Sequence, residues 1–381
     1  MHRGRGRSVG RSRTPRCVAF SLVAAALLGV SGGCSRKLSR GGNAMEVLAY
    51  DILQMDRGVG EYYQIVLDAH DRKTFCYRCT DDTYLADKSL DAIYRLGNAH
   101  YSRLEGEAQV ILLLSDVLIE DKIASARNMA AGSLTRLALR LPEVPGPSVP
   151  DRGDRFLGLV KELDALHDAQ GRRRADTPET RRRVAAIVEE IGSLDFPRLQ
   201  DTKNALKFFP GRTFVTQETD PALRETFDRT MARRSRAVVM ASLEGKIDDP
   251  VPHVRQAVVQ GLKTLGDARA LPAVALRLEA ESHPMVKGEM AEYLGAVGGA
   301  KAAEALVPLL HDDDGGVRHR AQAALVRLAR VDLGRDEAAW EAWRKRTYGT
   351  ATAAAPAVPG APAALGAPVA AGSPGAPGGP R

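Results

Sequence analysis

Residues 254–266 read VRQAVVQGLKTLG, and the same register returns as VKGEMAEYLGAVG from Val286 and as VRHRAQAALVRLA from Val317. The spacings are 32 and 31 residues, and no gap is needed inside the copies. A fourth copy, ARNMAAGSLTRLA, begins at Ala126. Offsets 0, +4, +8 and +11 are apolar each time: Val254, Val258, Leu262 and Leu265; Val286, Met290, Leu294 and Val297; Val317, Ala321, Leu325 and Leu328; Ala126, Ala130, Leu134 and Leu137. At the helical turn angle these offsets share an arc of about 80°, which predicts an amphipathic helix with one buried stripe. Offset +1 is always basic: Arg255, Lys287, Arg318 and Arg127.

Working outward, helix-start residues precede three of the copies: Asp248, Asp249 and Pro250, then Ser282, His283 and Pro284, then Asp312, Asp313 and Asp314. Asp and Ser accept from free backbone N–H groups at a helix start, and Pro tolerates that position. Gly266 and Gly298 supply exits. A second apolar segment lies between copies, at 270–278 and 300–310, with Leu271, Val274 and Leu278 in register with Ala303, Leu306 and Leu310. The unit is helix, turn, helix in about 31 residues, and one such hairpin cannot bury its stripe alone. The expected fold is therefore all-α, an α-solenoid of stacked helical hairpins with disordered termini.

The Asp-rich loop, the Val-Arg pair and the Leu-Gly exit resemble the short HEAT-like repeats of the phycobilisome-lyase type. The clear resemblance covers residues 237–331 and a weaker one covers 81–141, where Asp81, Asp82, Leu85, Leu96 and Gly97 echo the loop and exit. There the next copy starts 41 residues later, a departure from the repeat length. The resemblance implies an adaptor-like, protein-binding surface and not lyase chemistry.

The N-terminus reads as a targeting signal. Arg3, Arg5, Arg7, Arg11, Arg13 and Arg16 precede the apolar run 18–30, which is short for a transmembrane helix. Gly32, Gly33 and Cys34 resemble the lipobox of bacterial lipoproteins, although Ser31 stands where that family usually has Leu. The resemblance implies lipidation at Cys34 and a membrane anchor facing the periplasm, and Ser35 favours the outer membrane. The full chain carries formal net charge +7, six of those charges lie in the signal, and the remainder is near +1. Net basicity therefore gives no ground for a nucleic-acid partner.

Cys76 and Cys79 are spaced as in redox centres and as in half of many zinc sites. Zinc needs two further ligands, and only His70 and His100 are near. A local disulfide suits an oxidising compartment. His253, His283 and His311 fall in equivalent loops, and His311 precedes three Asp residues, a weak metal pattern that helix capping also explains. No nucleophile elbow, phosphate loop or dinucleotide fingerprint is present.

RRRADTPETRRR at 172–183 could attract an acidic partner or lipid headgroups, or be a solvated loop. Trp340 and Trp343 share a helix face and read as a terminal cap or as a partner hot spot. The expected organisation is a signal peptide over 1–33, a tether over 34–43 and an N-terminal helical region with degenerate repeats over 44–142. A helical connecting region with the basic loop follows over 143–236. The repeat domain with its Trp-containing cap spans 237–347, and a disordered Ala/Pro/Gly-rich tail spans 348–381.

The expected function is a membrane-anchored, non-enzymatic scaffold that binds a protein partner in the bacterial cell envelope. It would use an exposed basic ridge of Arg255, Lys287 and Arg318, with Trp340 and Trp343 as further candidates. No cofactor and no small-molecule substrate is expected. The alternative is a metal- or redox-responsive envelope protein built on Cys76 and Cys79, with zinc as the metal.

Overall fold

The apolar stripe becomes the buried side of a helix in all four copies. It is fully buried at the first three offsets, while at the fourth Leu137 and Leu265 are buried and Val297 and Leu328 only partly. A computed structural model describes residues 59–72, 82–142 and 148–349, except 152, 169, 170 and 211. The signal segment with Cys34, the Cys76 and Cys79 pair and the Ala/Pro/Gly tail lie outside the described residues.

Five helical hairpins stack among the described residues. Hairpin 1 is α1 (Val59–Arg72) and α2 (Asp82–Asn98), and hairpin 2 is α3 (Leu104–Glu120) and α4 (Ala124–Arg140). Between hairpins 2 and 3 come β1 (Val149–Pro150), α5 (Asp154–Ala165), α6 (Pro178–Ser193), β2 (Leu194–Asp195), α7 (Leu199–Phe208) and α8 (Thr213–Thr216). Hairpin 3 is α9 (Pro221–Glu244) and α10 (Pro252–Leu265), and hairpin 4 is α11 (Leu271–Ala280) and α12 (Pro284–Val297). Hairpin 5 is α13 (Ala300–Leu306), prolonged by the 3-10 turn Val307–His311, and α14 (Gly315–Ala329). A final helix, α15 (Glu337–Tyr348), packs on the first arm of hairpin 5.

The second helices form one layer in which α2, α4, α10, α12 and α14 each touch the next. The long departure of the chain after α4 therefore does not interrupt the stack: α4 packs on α10 as α10 packs on α12. Small residues permit this approach. An added Cβ on Gly97 would lie 2.5 Å from Ser133 Cβ, on Gly261 2.5 Å from Thr135 Oγ1, and on Gly295 2.6 Å from Ala324 Cβ. One apolar core runs through the hairpins from Val59 to Trp343.

The excursion builds a second core of its own, from Phe156, Leu159, Leu163, Ile187, Ile191, Phe209, Phe214 and Phe227 among others. Edge-on ring pairs recur in it, such as Phe156 with Phe196 at 5.9 Å and Phe208 with Phe209 at 5.3 Å. A short parallel pairing, Val149 with Leu194 and Pro150 with Asp195, holds its base.

Helix α9 joins the two cores. Asp220 caps it by accepting from Ala222 and Leu223 N–H, and Pro221 suits its first turn. Its first half buries Leu223, Phe227 and Met231 in the excursion core, and its second half buries Val238, Val239 and Leu243 in the stack. The expected boundary at 236/237 falls inside this continuous helix. Among the described residues, no helix is long and apolar enough to cross a membrane.

Candidate functional site

An acid stands five residues before offset 0 in every copy: Asp121, Asp249, Glu281 and Asp312. Each first shapes its own loop. Ile123 N–H donates to Asp121 at 2.7 Å, Val251 N–H to Asp249 at 3.0 Å, His283 N–H to Glu281 at 2.9 Å and Asp314 N–H to Asp312 at 3.0 Å. Three of these acids are then gripped by the offset +1 cation of the preceding hairpin. Arg127 Nε and Nη2 hold Asp249 at 2.7 and 2.9 Å, and Arg255 Nε and Nη2 hold Glu281, both at 2.7 Å. Lys287 Nζ donates to Asp312 at 2.6 Å.

The remaining guanidinium nitrogen points back to the loop of its own helix. Arg127 Nη1 donates to the carbonyls of Asp121 and Lys122, and Arg255 Nη1 to those of Asp249 and Pro250. The result is a ladder that ties each hairpin to the next. Burial opposes ionisation of Asp249, Glu281 and Asp312. The donated hydrogen bonds and facing cations outweigh it, and all three carboxyls lie below their ordinary range.

This arrangement corrects the expected basic ridge. Arg255 is 5% exposed and engaged on both edges, Lys287 is partly buried and bonded to Asp312, and Arg318 is partly buried against its own loop. Cations at a fixed offset found acids at a fixed offset in the next hairpin, so the regular spacing serves stacking. Arg318 ends the ladder. Its Nη1 donates to the carbonyls of Asp312 and Asp313 at 2.7 and 2.9 Å, but its shielded Nε meets no acceptor.

Trp340 and Trp343 are likewise internal. Trp340 is fully buried and Trp343 8% exposed, with their rings edge-on at 5.7 Å. Trp340 Nε1 donates to the Gly334 carbonyl at 2.9 Å. The pair closes the last apolar stripe, which corrects its candidacy as a partner hot spot: a ring buried within the chain has no face to offer.

His253, His283 and His311 are exposed, and His311 lies 3.5 Å from Glu337. Among the described residues, no group of three or more His, Cys, Asp or Glu could hold a metal ion. In the basic run, Arg172 pairs with Asp168, Arg173 with Asp176 and Glu218, Arg181 with Asp176 and Asp220, and Arg183 with Glu162. Most of that charge is thus neutralised inside the excursion.

The solvent side of the second-helix layer carries a strip that sequence reading missed. Arg136 lies over the Tyr94 ring at 5.3 Å, which links α4 to α2. Lys263 Nζ donates to Glu289 and Glu292 at 2.8 and 2.6 Å, and Arg320 approaches the same two acids at 3.5 and 3.3 Å. A cavity of about 350 Å³ opens beside them, lined by Glu292, His319, Arg320, Ala323 and Arg327. Arg136 and Arg327 share offset +10 and Glu289 and Arg320 share offset +3, but the charge at +3 changes sign between copies and Lys263 stands alone at +9, so the strip does not repeat as a pattern.

A second cavity, of about 420 Å³, lies against Ser102, Thr216, Glu218, Arg224 and Asp228. Arg224 Nη2 sits 2.7 Å from the buried Glu105 and 3.1 Å from Asp228, and burial raises the Asp228 carboxyl. Burial also pushes Glu107 up to about 7, against the pull of Arg140.

No curated protein matches this chain. Residues 243–326, from the end of α9 into the last turns of α14, match the family model described as HEAT repeats. Such repeats commonly mediate protein–protein interaction, and the family is typically a non-catalytic scaffold.

Proposed function

We propose that this chain is a lipid-tethered scaffold of the bacterial cell envelope that holds a protein partner on the solvent face of its second-helix layer. The observation that carries the reading is the unbroken run α2, α4, α10, α12 and α14, a single wide face across five hairpins. Tyr94, half exposed, stands at one end of that face, and Arg320, Arg327 and His319 stand at the other. Exposed aromatic and Arg side chains are the types that anchor protein interfaces. The lipobox-like Gly32, Gly33 and Cys34 support the tether, and the apolar run before them supports export.

Anchoring and binding are tested together on the full-length chain, expressed in its cell envelope with a C-terminal tag. Cross-linked partners are compared for the wild type and for a Tyr94→Ala, Arg327→Glu variant whose helicity is unchanged. The expected result is a partner captured by the wild type and lost with the variant. Cys34→Ala should move the protein from membrane to soluble fraction. Equal capture by both proteins would overturn the assigned face, and an unchanged membrane fraction would overturn the tether.

A further inference from the structure

Charge is unevenly shared over the second-helix layer. Helices α4, α10 and α14 contain no Asp or Glu, and α12 contains only Glu289 and Glu292. Of the cations on these four helices, Arg127, Arg255 and Lys287 are taken up by the ladder. Arg140 and Arg318 donate to backbone carbonyls. Lys263 and Arg320 share Glu289 and Glu292, two cations with two acids. Arg136 and Arg327 remain, and among the described residues neither has a carboxylate partner. Arg136 lies over the Tyr94 ring and donates through Nη2 to Ser133 Oγ. Its Nε is covered, and its Nη1 bonds to no acceptor among the described residues. Arg327 stands exposed beside the cavity between α12 and α14.

We propose that Arg136 and Arg327 mark the two ends of a binding site for an extended acidic segment of the partner protein, with carboxylates at its ends and uncharged residues between. This rests on the scaffold reading above and names the chemistry of the segment that the face holds. Both arginines occupy offset +10, so they stand at one height on the first and last of the four helices. With neighbouring axes about 8–10 Å apart, three steps separate them by about 24–30 Å. An extended segment of about 3.1 Å per residue covers that span in about eight to ten residues. Beside Arg327 the small side chains of Ala323 and Ala324 help line a cavity of about 350 Å³, which leaves room for an acidic side chain. The surplus charge is positive at both ends, and the acids sit on α12 between them. A membrane or a nucleic-acid backbone presents continuous negative charge and would meet Glu289 and Glu292 midway. A segment charged only at its ends avoids that repulsion.

The test uses full-length protein and three labelled peptides. EEPAPAPAEE has acids at both ends of an extended spacer, PAPEEEEAPA gathers the same acids in the middle, and QQPAPAPAQQ is neutral. Fluorescence anisotropy is read for wild type, Arg136→Gln and Arg327→Gln, each checked for native helicity. A single-stranded DNA oligonucleotide of equal charge is the fourth probe. The expected result is that EEPAPAPAEE binds tightest and QQPAPAPAQQ about tenfold or more weaker, with each substitution weakening EEPAPAPAEE by about threefold. No binding of EEPAPAPAEE, equal binding of either other peptide, tighter binding of the oligonucleotide, or a substitution without effect would each overturn the proposal. The envelope cross-linking experiment reads capture of the natural partner whatever its charge. If capture depends on the assigned face while the peptides fail, the acidic segment is wrong and the scaffold reading stands.

Discussion

Arg127 and Asp249 lie 122 residues apart in the chain, and Arg127 Nε stands 2.7 Å from the Asp249 carboxylate. The contact is the ladder rung that spans the excursion, and it binds hairpin 2 to hairpin 3 as Arg255 and Glu281 bind hairpin 3 to hairpin 4. Removing one member of a buried pair leaves the other charge desolvated, which costs about 3–5 kcal/mol. Arg127→Met should therefore lower stability by that order in urea unfolding, and adding Asp249→Asn should restore part of the loss. A change below about 1 kcal/mol for Arg127→Met would mean that the stack does not depend on this rung.

Glycine substitutions separate helix propensity from helix contact. Alanine in place of Gly132 meets only the flexible end of Arg136, 3.5 Å away, so the variant should gain up to about 1 kcal/mol. Gly295→Ala puts the same methyl group 2.8 Å from the Ala324 Cα, where backbone must move, and should lose about 1–3 kcal/mol instead. Thermal unfolding of the two variants side by side checks the contrast. A common sign would show that the α12–α14 separation adjusts freely.

The hairpins of 252–329 were legible because a cation and an apolar stripe recur at fixed offsets from Val254, Val286 and Val317. The Ala126 copy was legible as a helix, but its neighbour was not, since the hairpin that follows it in space begins after the excursion. The role of the offset +1 cations was misread for a physical reason. A basic residue at constant spacing suits an external ridge and an internal ladder equally, until the acid five positions before each copy is counted. Excursion residues such as Phe156, Phe214 and Phe227 carry no repeat, so their common core is visible only in the fold. The Tyr94 and Arg136 contact, and that of Lys263 with Glu292, depend on helix registry between hairpins, which no single copy encodes.

At the N-terminal end, His70 faces the ladder acid Asp121, with contacts of 4.0 Å to Asp121 and 3.9 Å to Glu120. The facing Asp121 carboxylate raises its pKa above the ordinary 6.5; burial acts the other way, and the charges of Asp116 and Glu120 add to the rise. A raised folded value means that protonated His70 stabilises fully below the unfolded pKa of about 6.5, and that this fades as pH rises through the folded value. His70→Gln should therefore reduce Tm most at about pH 5–6 and least in alkaline solution. The ladder carboxyls behave oppositely: their stabilisation is present above about pH 4 and is lost on acidification through their lowered values. A His70→Gln deficit that grows with pH would contradict the assignment.

The cap sets where the array begins to open. The last hairpin is held by hairpin 4 on one side and by α15 on the other. Trp340 is the largest fully buried side chain in the described residues, and its truncation to Ala should cost about 3–5 kcal/mol. The loss is local in a one-dimensional array, so hydrogen exchange should show α13 and α14 losing protection while α3, α4 and α9 keep theirs. The Arg127→Met variant provides the comparison, because its break lies between hairpins 2 and 3. If Trp340→Ala lowered protection equally in every hairpin, the five hairpins would unfold as one cooperative unit, and the cap would act on the whole stack rather than on its end.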